Sequence, residues 1–434
     1  MNKSLNSVSR SLLQVLALFR RGGWTADYAV EEPPLRSELF SADQMEQHGK
    51  ALAAAHTLGA KRMRDLLLSR LVENEGVLLK ARELLTAATK DERPGTPAGE
   101  WLLDNFHLIE EQIRTARKHL PEDYSRELPR LGNGPSAGLP RVYDIALETI
   151  SHGDGQVDPQ SFSRFIAAYQ SVTTLTLGEL WGVPIMLRLA LIENLRRVAT
   201  RIIVHRVGRD LAEYWTDQMT ETVQHDPKSL ILVVADMARS DPPMSSPFVA
   251  ELARRLQGHG AALAMPLHWI EQRLSELGLS IAQLVQSENQ QQAIDQVSIS
   301  NSIGSLRLLT ATDWHAFVET MSVAERTLRE DPGGVYGRMD FATRDHYRHV
   351  LERIARHSGL AEEQVARSCV QLAREASARD DGDDRATHVG CYLVGKGLPK
   401  LEAVTRMRVP FSLALQRNRG RFIYLGPIAA LTAT

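Results

Sequence analysis

An all-α fold is predicted from three observations. Leu, Ala, Arg, Glu and Gln dominate the chain, and these residue types lose little entropy in a helix. Aromatic residues make up only 6%, whereas strands favour β-branched and aromatic side chains. Apolar positions also recur at helical spacing between cap signals, with short connections. An array or bundle of antiparallel neighbouring helices is the natural arrangement. No clean repeat of fixed period is visible, so no named solenoid family is indicated.

The elements follow in order. The opening segment to Phe19 has a short apolar run from Leu12, but Arg20 and Arg21 follow it and no small-residue cleavage site appears. It reads as an arm or short helix. Ser41 and Gln44 form a capping-box pattern that opens a helix to about Leu58. A second helix is predicted over about Lys61 to Thr89, with Leu67, Leu71, Leu78 and Leu85 on one face. Thr96 then caps a helix with Pro97 in its first position, and this helix runs to Leu120. Pro121 to Pro140 is rich in Pro and Gly and reads as a long loop. Helices follow from Pro140 to about Ser151 and from Pro159, the latter opened by Asp158. Thr176 and Glu179 form another capping box for a long apolar helix reaching towards Val207, with a kink expected at Pro184. Further helices are expected at Asp210 to Gln224, Ser229 to Ala238, Pro247 to Gln257, Leu263 to Leu277 and Ile281 to Asp295. The last three lie at Asp313 to Glu330, Asp340 to Ser358 and Ala361 to Ala378.

This pass divides the chain into an N-terminal arm (residues 1–34), a helical domain (35–208) containing the loop at 121–140, and a second helical domain (209–378). A charged linker with a basic segment (379–421) and an apolar terminal run (422–434) complete it. Arg417, Arg419 and Arg421 directly precede that uncharged run. Basic residues on this flank predict a membrane helix that starts at Phe422, with everything before it cytoplasmic. The basic cluster would face anionic lipid. The run is shorter than the roughly 20 residues a span requires, so it also fits a buried C-terminal helix.

Composition narrows the function classes. The 434 residues are 43% hydrophobic and 24% charged, which fits a folded chain with a large core. A net charge of −2 argues against a general nucleic-acid binder. Two cysteines, Cys369 and Cys391, are too few for a disulfide framework or a four-cysteine zinc site.

Catalytic signatures are notable by their absence. The segment GNGPSAG from Gly132 lacks the spacing, preceding strand and Lys-Ser/Thr of a phosphate loop, so a plain turn-rich loop is expected. Asp154, Gln156 and Asp158 begin like a calcium loop, but Pro159 replaces the required Gly and Phe165 the bidentate Glu. Asp104, His107 and Glu111 share a helix face without the second Glu-x-x-His copy of a di-metal bundle. The Asp380–Asp384 run follows a helix rather than a buried strand and reads as a solvated linker. Arg188, Arg196, Arg197, Arg201, Arg206 and Arg209 are expected to form a solvated face with acidic neighbours. No catalytic or metal-ligating set is identified.

Six long segments together resemble the N-terminal region of bacterial cyclic β-1,2-glucan synthases. They are PLRSELFSADQMEQHGKALAAAH, EWLLDNFHLIEEQIRTARKHLPEDYSRELPRL, GLPRVYDIALE, FIAAYQSVTTLTLGELWGVPIMLRLALIENLRRV, DQVSISNSIGSLRLL and VYGRMDFATRDHYRHVLERIA. They run in the family's order from about Leu35 onward. The resemblance implies a large inner-membrane protein that polymerises glucose from UDP-glucose. A metal-dependent glycosyltransferase family 84 module would do this, using Mg2+, with a phosphorylase-like module controlling chain length. The transferase's acidic motifs, catalytic carboxylate and Gln-x-x-Arg-Trp-type element would lie beyond the first span, so no catalytic residue carries over.

The resemblance therefore implies a helical region on the cytoplasmic face of the inner membrane. It would have no cofactor of its own, and its partner would be the remainder of the synthase. Trp101, Asp104, Asn105, Tyr124, Arg141, Tyr143 and Asp144, aromatic and polar residues near the long loop, are the candidate contacts to glucan or to a protein interface. They equally fit as loop anchors. Two alternatives stay open: a UDP-glucose-dependent transferase site within this chain, and an independent helical scaffold.

Overall fold

The computed structural model describes residues 33–59, 66–90, 95–120, 127–257, 263–378 and 385–408. They are helical, with no β-strand among the described residues. The elements are α1 (Ala42–Ala55), α2 (Leu67–Lys90), α3 (Pro97–Asp104), α4 (Phe106–His119), α5 (Arg141–His152), α6 (Pro159–Gln170) and α7 (Leu177–His225). Next come α8 (Leu230–Ser240), α9 (Ser246–Leu256), α10 (Ala264–Glu276), α11 (Ile281–Ala311), α12 (Trp314–Met321) and α13 (Val323–Leu328). The last are α14 (Phe341–Ser358), α15 (Glu362–Ser377), α16 (Gly390–Leu393) and α17 (Leu398–Val404).

The capping chemistry acts as the sequence predicts. Ser41 donates its backbone N–H to Gln44 Oε1 at 2.8 Å, and the Ser41 hydroxyl accepts from the Gln44 N–H at 3.3 Å. Thr96 accepts from the Gly99 N–H at 3.2 Å with Pro97 behind it. Thr176 and Glu179 cap α7 reciprocally, at 2.9 and 3.3 Å. Each contact satisfies a donor that the first helical turn leaves unpaired.

Three expectations are corrected. Asn105 interrupts the single helix expected from Thr96 to Leu120, dividing it into α3 and α4. Conversely, α7 continues past Val207 as one 49-residue helix, through Pro184 and Gly208. A Cβ on Gly208 would stand 3.1 Å from the Pro247 ring, so glycine permits a close approach there rather than a break. α11 likewise extends to Ala311 instead of ending near Asp295.

Contacts divide the chain into two units. The first comprises the described residues within Met1–Met45, His56–Phe162 and Val183–Thr312. At its centre α7 is buried on all sides between Val183 and Ala199, so its apolar residues surround the axis instead of forming one stripe. α2, α3 and α4 pack together, α11 packs on α3 and α4, and α9 packs on α11. The second half of α7 joins α8, α9 and α10 in a core that includes Trp215, Met219, Phe248 and Leu252. Leu128, Leu131 and Leu139 are buried in the Pro/Gly-rich loop, and two isolated bridges, Leu58 to Leu131 and Arg130 to Pro140, fasten it. Gly134 and Gly138 there adopt left-handed φ of 76° and 86°, as a turn-rich loop requires.

The second unit comprises the described residues within Glu46–Ala55, Ser163–Gly182 and Asp313–Thr434. Its core joins α13, α14 and α15 with α16 and α17. The stretch expected as a linker thus supplies Val389, Tyr392, Leu393, Leu401 and Met407 to that core. Arg348 is buried with Glu325 at 2.8 Å, and Glu325 also accepts the Tyr336 hydroxyl at 2.6 Å. No helix among the described residues is long and apolar enough to cross a membrane. The terminal run 422–434, where a membrane helix is expected, lies outside the described residues.

Glu362 opens α15 and accepts the Leu177 backbone N–H at 2.9 Å. Burial pushes its carboxyl up to about 7, with Glu352 and Glu179 adding to the rise against the pull of that hydrogen bond. The native state therefore holds this proton more tightly than the unfolded chain, whose Glu titrates near ~4.3. Stability from this group is greatest in acid and is lost as pH rises towards 7. Glu362→Gln is expected to raise the melting temperature relative to the unaltered protein at pH 8, with the gap closing by pH 5. A gap of equal size at both pH values in a thermal melt would contradict this assignment.

Candidate functional site

The residues singled out in the sequence separate into two places within the first unit. Trp101 and Asp104, on α3, face solvent, and Trp101 is 42% exposed. Asn105 beside them is buried. Its amide donates to the Trp101 carbonyl at 2.9 Å, and its Oδ1 accepts from Arg307 of α11 at 2.6 Å. His107 and Glu111 are exposed with Asp104 on this side, a surface polar face. Arg141, Tyr143 and Asp144 belong instead to the first turn of α5. Arg141 and Tyr143 are buried, and Asp144 meets His56 at 3.0 Å. Tyr124, Arg417, Arg419 and Arg421 lie outside the described residues.

Of the α5 residues, Tyr143 lies beside an interior cluster that no local sequence pattern announces. At its centre stands Glu193 of α7, with 0% exposure. Its Oε1 accepts from Arg70 of α2 at 3.0 Å, Arg196 at 2.8 Å and Arg197 at 2.9 Å. Its Oε2 accepts from Asn74 of α2 at 2.8 Å. Arg196 and Arg197 sit three and four residues beyond Glu193, so one turn of α7 presents them to it. Burial alone would push the Glu193 carboxyl up, but Arg196, Arg70, Arg197 and the Asn74 amide hold it below the usual carboxylate range. Tyr143 lies within this field. Burial, then the Glu193 charge, raises its phenol well above the usual value, so it stays a neutral hydroxyl.

A polar seam continues along α7 against α11. Asn194 donates to the Ser298 and Ser302 hydroxyls, both at 3.1 Å, while its Oδ1 accepts from the Leu35 N–H at 3.0 Å. Arg201 pairs with Asp295. Glu288 receives Arg209 at 3.4 Å and lies 3.3 Å from His205. Ser305 donates to the Gly155 carbonyl at 2.8 Å and accepts from the Val157 N–H at 2.9 Å. Gly155 has φ +78°, and a Cβ there would strike the Ser302 hydroxyl at 2.4 Å. Small residues on α11 thus let the Asp154–Val157 turn lie directly on the helix. Asp154 itself faces Arg36 at 3.8 Å.

The basic stretch of α7 departs from expectation. Arg188 and Arg196 are buried rather than solvated, Arg188 donating to Gln112 at 2.7 Å. Arg206 pairs with Asp210 at 2.8 Å. These arginines are absorbed by internal partners, which explains why they do not form a phosphate- or lipid-facing surface.

No protein-family description matches the chain. One curated protein does: cyclic beta-(1,2)-glucan synthase NdvB of Rhizobium meliloti (strain 1021) is 32% identical over 371 residues, 85% of this chain. The chain is homologous to one stretch of that synthase. It spans 13% of the synthase's length. The segments that carry the resemblance in the sequence include ALIENLRRV, which holds Glu193 and both arginines, and DQVSISNSIGSLRLL, which holds the serines of α11.

Glu193→Gln keeps the shape of the side chain and removes its charge. Three arginines would then lack their carboxylate in a dry interior, a loss of roughly 3–5 kcal/mol. Urea unfolding at pH 7 is expected to show a destabilisation of that order. Because the native Glu193 carboxyl is held low, the difference should shrink as pH falls below about 4. Unchanged unfolding at pH 7 would show that the cluster contributes nothing to the fold.

Proposed function

We propose that this chain is a helical, non-catalytic part of a cyclic β-1,2-glucan synthase, supporting or positioning the membrane module that polymerises glucose from UDP-glucose. The observation that carries the reading is the 32% identity over 85% of this chain to the rhizobial synthase. Its partner would be the remainder of the synthase. Its place would be the cytoplasmic face of the inner membrane, with the run from Phe422 as the start of a membrane helix and Arg417, Arg419 and Arg421 at the lipid surface.

The interior chemistry supports a structural role. Three buried acids of the first unit are held by arginines: Glu193 by Arg70, Arg196 and Arg197, Asp295 by Arg201, and Glu288 by Arg209. These acids do not fit a magnesium–nucleotide site, because their lone pairs already receive charged donors. The exposed pair Trp101 and Asp104 remains the candidate for contact with a partner surface.

Incubation of the purified chain with labelled UDP-glucose and Mg2+ tests the non-catalytic reading. No label is expected in protein or in oligosaccharide. Incorporation of glucose into either would overturn it, and would place transferase chemistry in this chain.

A further inference from the structure

A trough runs along the first three turns of α11 in the first unit. Its wider part encloses about 910 Å³ between α10 and α11, with Gln257 of the α9 end on its rim. A second cavity of about 540 Å³ continues towards α7 and α9 and shares Gln257, Val285 and Asn289 with the first. Both volumes fall in the range of small-ligand sites. The floor is apolar, built from half-buried Leu267, Ile281 and Val285. The rim carries exposed side-chain amides, Gln257, Gln286 and Asn289, beside the exposed Glu271 carboxylate, which further disfavours an anion.

The charged residues of the inner end are already paired. Arg254 holds Glu251 through contacts of 3.0 and 2.5 Å, and Arg209 faces Glu288 at 3.4 Å. An anionic ligand requires cations not bound to carboxylates, so the trough does not suit a phosphate or a carboxylate. A purely apolar ligand would desolvate the amide rim without satisfying it. A primary amide both donates and accepts, as a sugar hydroxyl does. The apolar floor matches the C–H faces of sugar rings.

We propose that this trough binds a stretch of neutral oligosaccharide. Resting on the proposed function, the ligand is a segment of β-1,2-linked glucan, held while the synthase extends or closes it. The trough differs from the contact residues read from the sequence: none of its rim amides is among them. The rim amides of α11 are exposed and make no part of the core, so their removal leaves the fold intact.

Isothermal titration of the full chain with a linear β-1,2-gluco-oligosaccharide tests the proposal, with an α-1,4-gluco-oligosaccharide of equal length beside it. Saturable binding of the β-1,2 chain is expected, weakened about tenfold or more in the double variant Gln286→Ala/Asn289→Ala. Gln371→Ala, in the second unit, is expected to bind as the unaltered protein does. Circular dichroism checks that the variants keep their helix content. Absence of saturable binding, equal binding of the α-1,4 chain, or unaltered affinity in the double variant would overturn the assignment. The proposed function fails separately, since it turns on whether the synthase needs this segment and not on glucan affinity.

Discussion

A single carboxylate, Glu193, fixes how the interior of the first unit is arranged. It has no exposure and receives three arginines and one amide. A buried ion pair is weak evidence for stability, because desolvation offsets much of the attraction. Its consequence is geometric. With Glu193 in place, Arg70 and Asn74 tie α2 to α7, Arg196 and Arg197 are brought into the interior, and α7 must run through the middle of the unit. The same helix turn supplies Asn194, which binds the serines of α11 on its other side. Three helices are thus registered from two adjacent residues.

This explains an arrangement that amphipathic packing alone does not give. A central helix buried all round has no polar stripe to define its rotation. Here polar side chains define it, buried at Glu193 and Asn194 and half-buried at Arg201, His205 and Arg209. The surrounding helices present the complementary groups, Asn74 from α2 and Ser298, Asp295 and Glu288 from α11. Paired in this way, such groups favour one packing among several that hydrophobic burial would tolerate.

Local signals were legible and distant ones were not. The caps at Ser41, Thr96, Asp158 and Thr176 act within four residues, so spacing alone reveals them. The break at Asn105 depends on Arg307 of α11, a partner 202 residues away that no local pattern announces. The continuity of α7 through Gly208 depends on the close approach of Pro247. Of the arginines of α7, Arg196, Arg197 and Arg206 pair with acids on α7 itself, Glu193 and Asp210, while the partners of Arg188, Arg201 and Arg209 lie on α4 and α11, where only the fold assembles them. Among the candidate contacts, Arg141 and Tyr143 proved to be interior residues for the same reason, while Trp101 and Asp104 stayed at the surface. The amides at the trough were not recognised, because a Gln-rich helix has the same local pattern whether or not a groove forms beside it.

Homology to one stretch of a cyclic β-(1,2)-glucan synthase gives this architecture its setting. The positioning role proposed above draws on a helical unit registered by buried charge and carrying an amide-rimmed trough. The most direct measurement is cyclic β-1,2-glucan production by the rhizobial synthase in which the homologous stretch is deleted, or is replaced by this chain. Deletion is expected to abolish glucan production and replacement to restore it, in proportion to the amount of folded protein. Full production by the deleted synthase would contradict it.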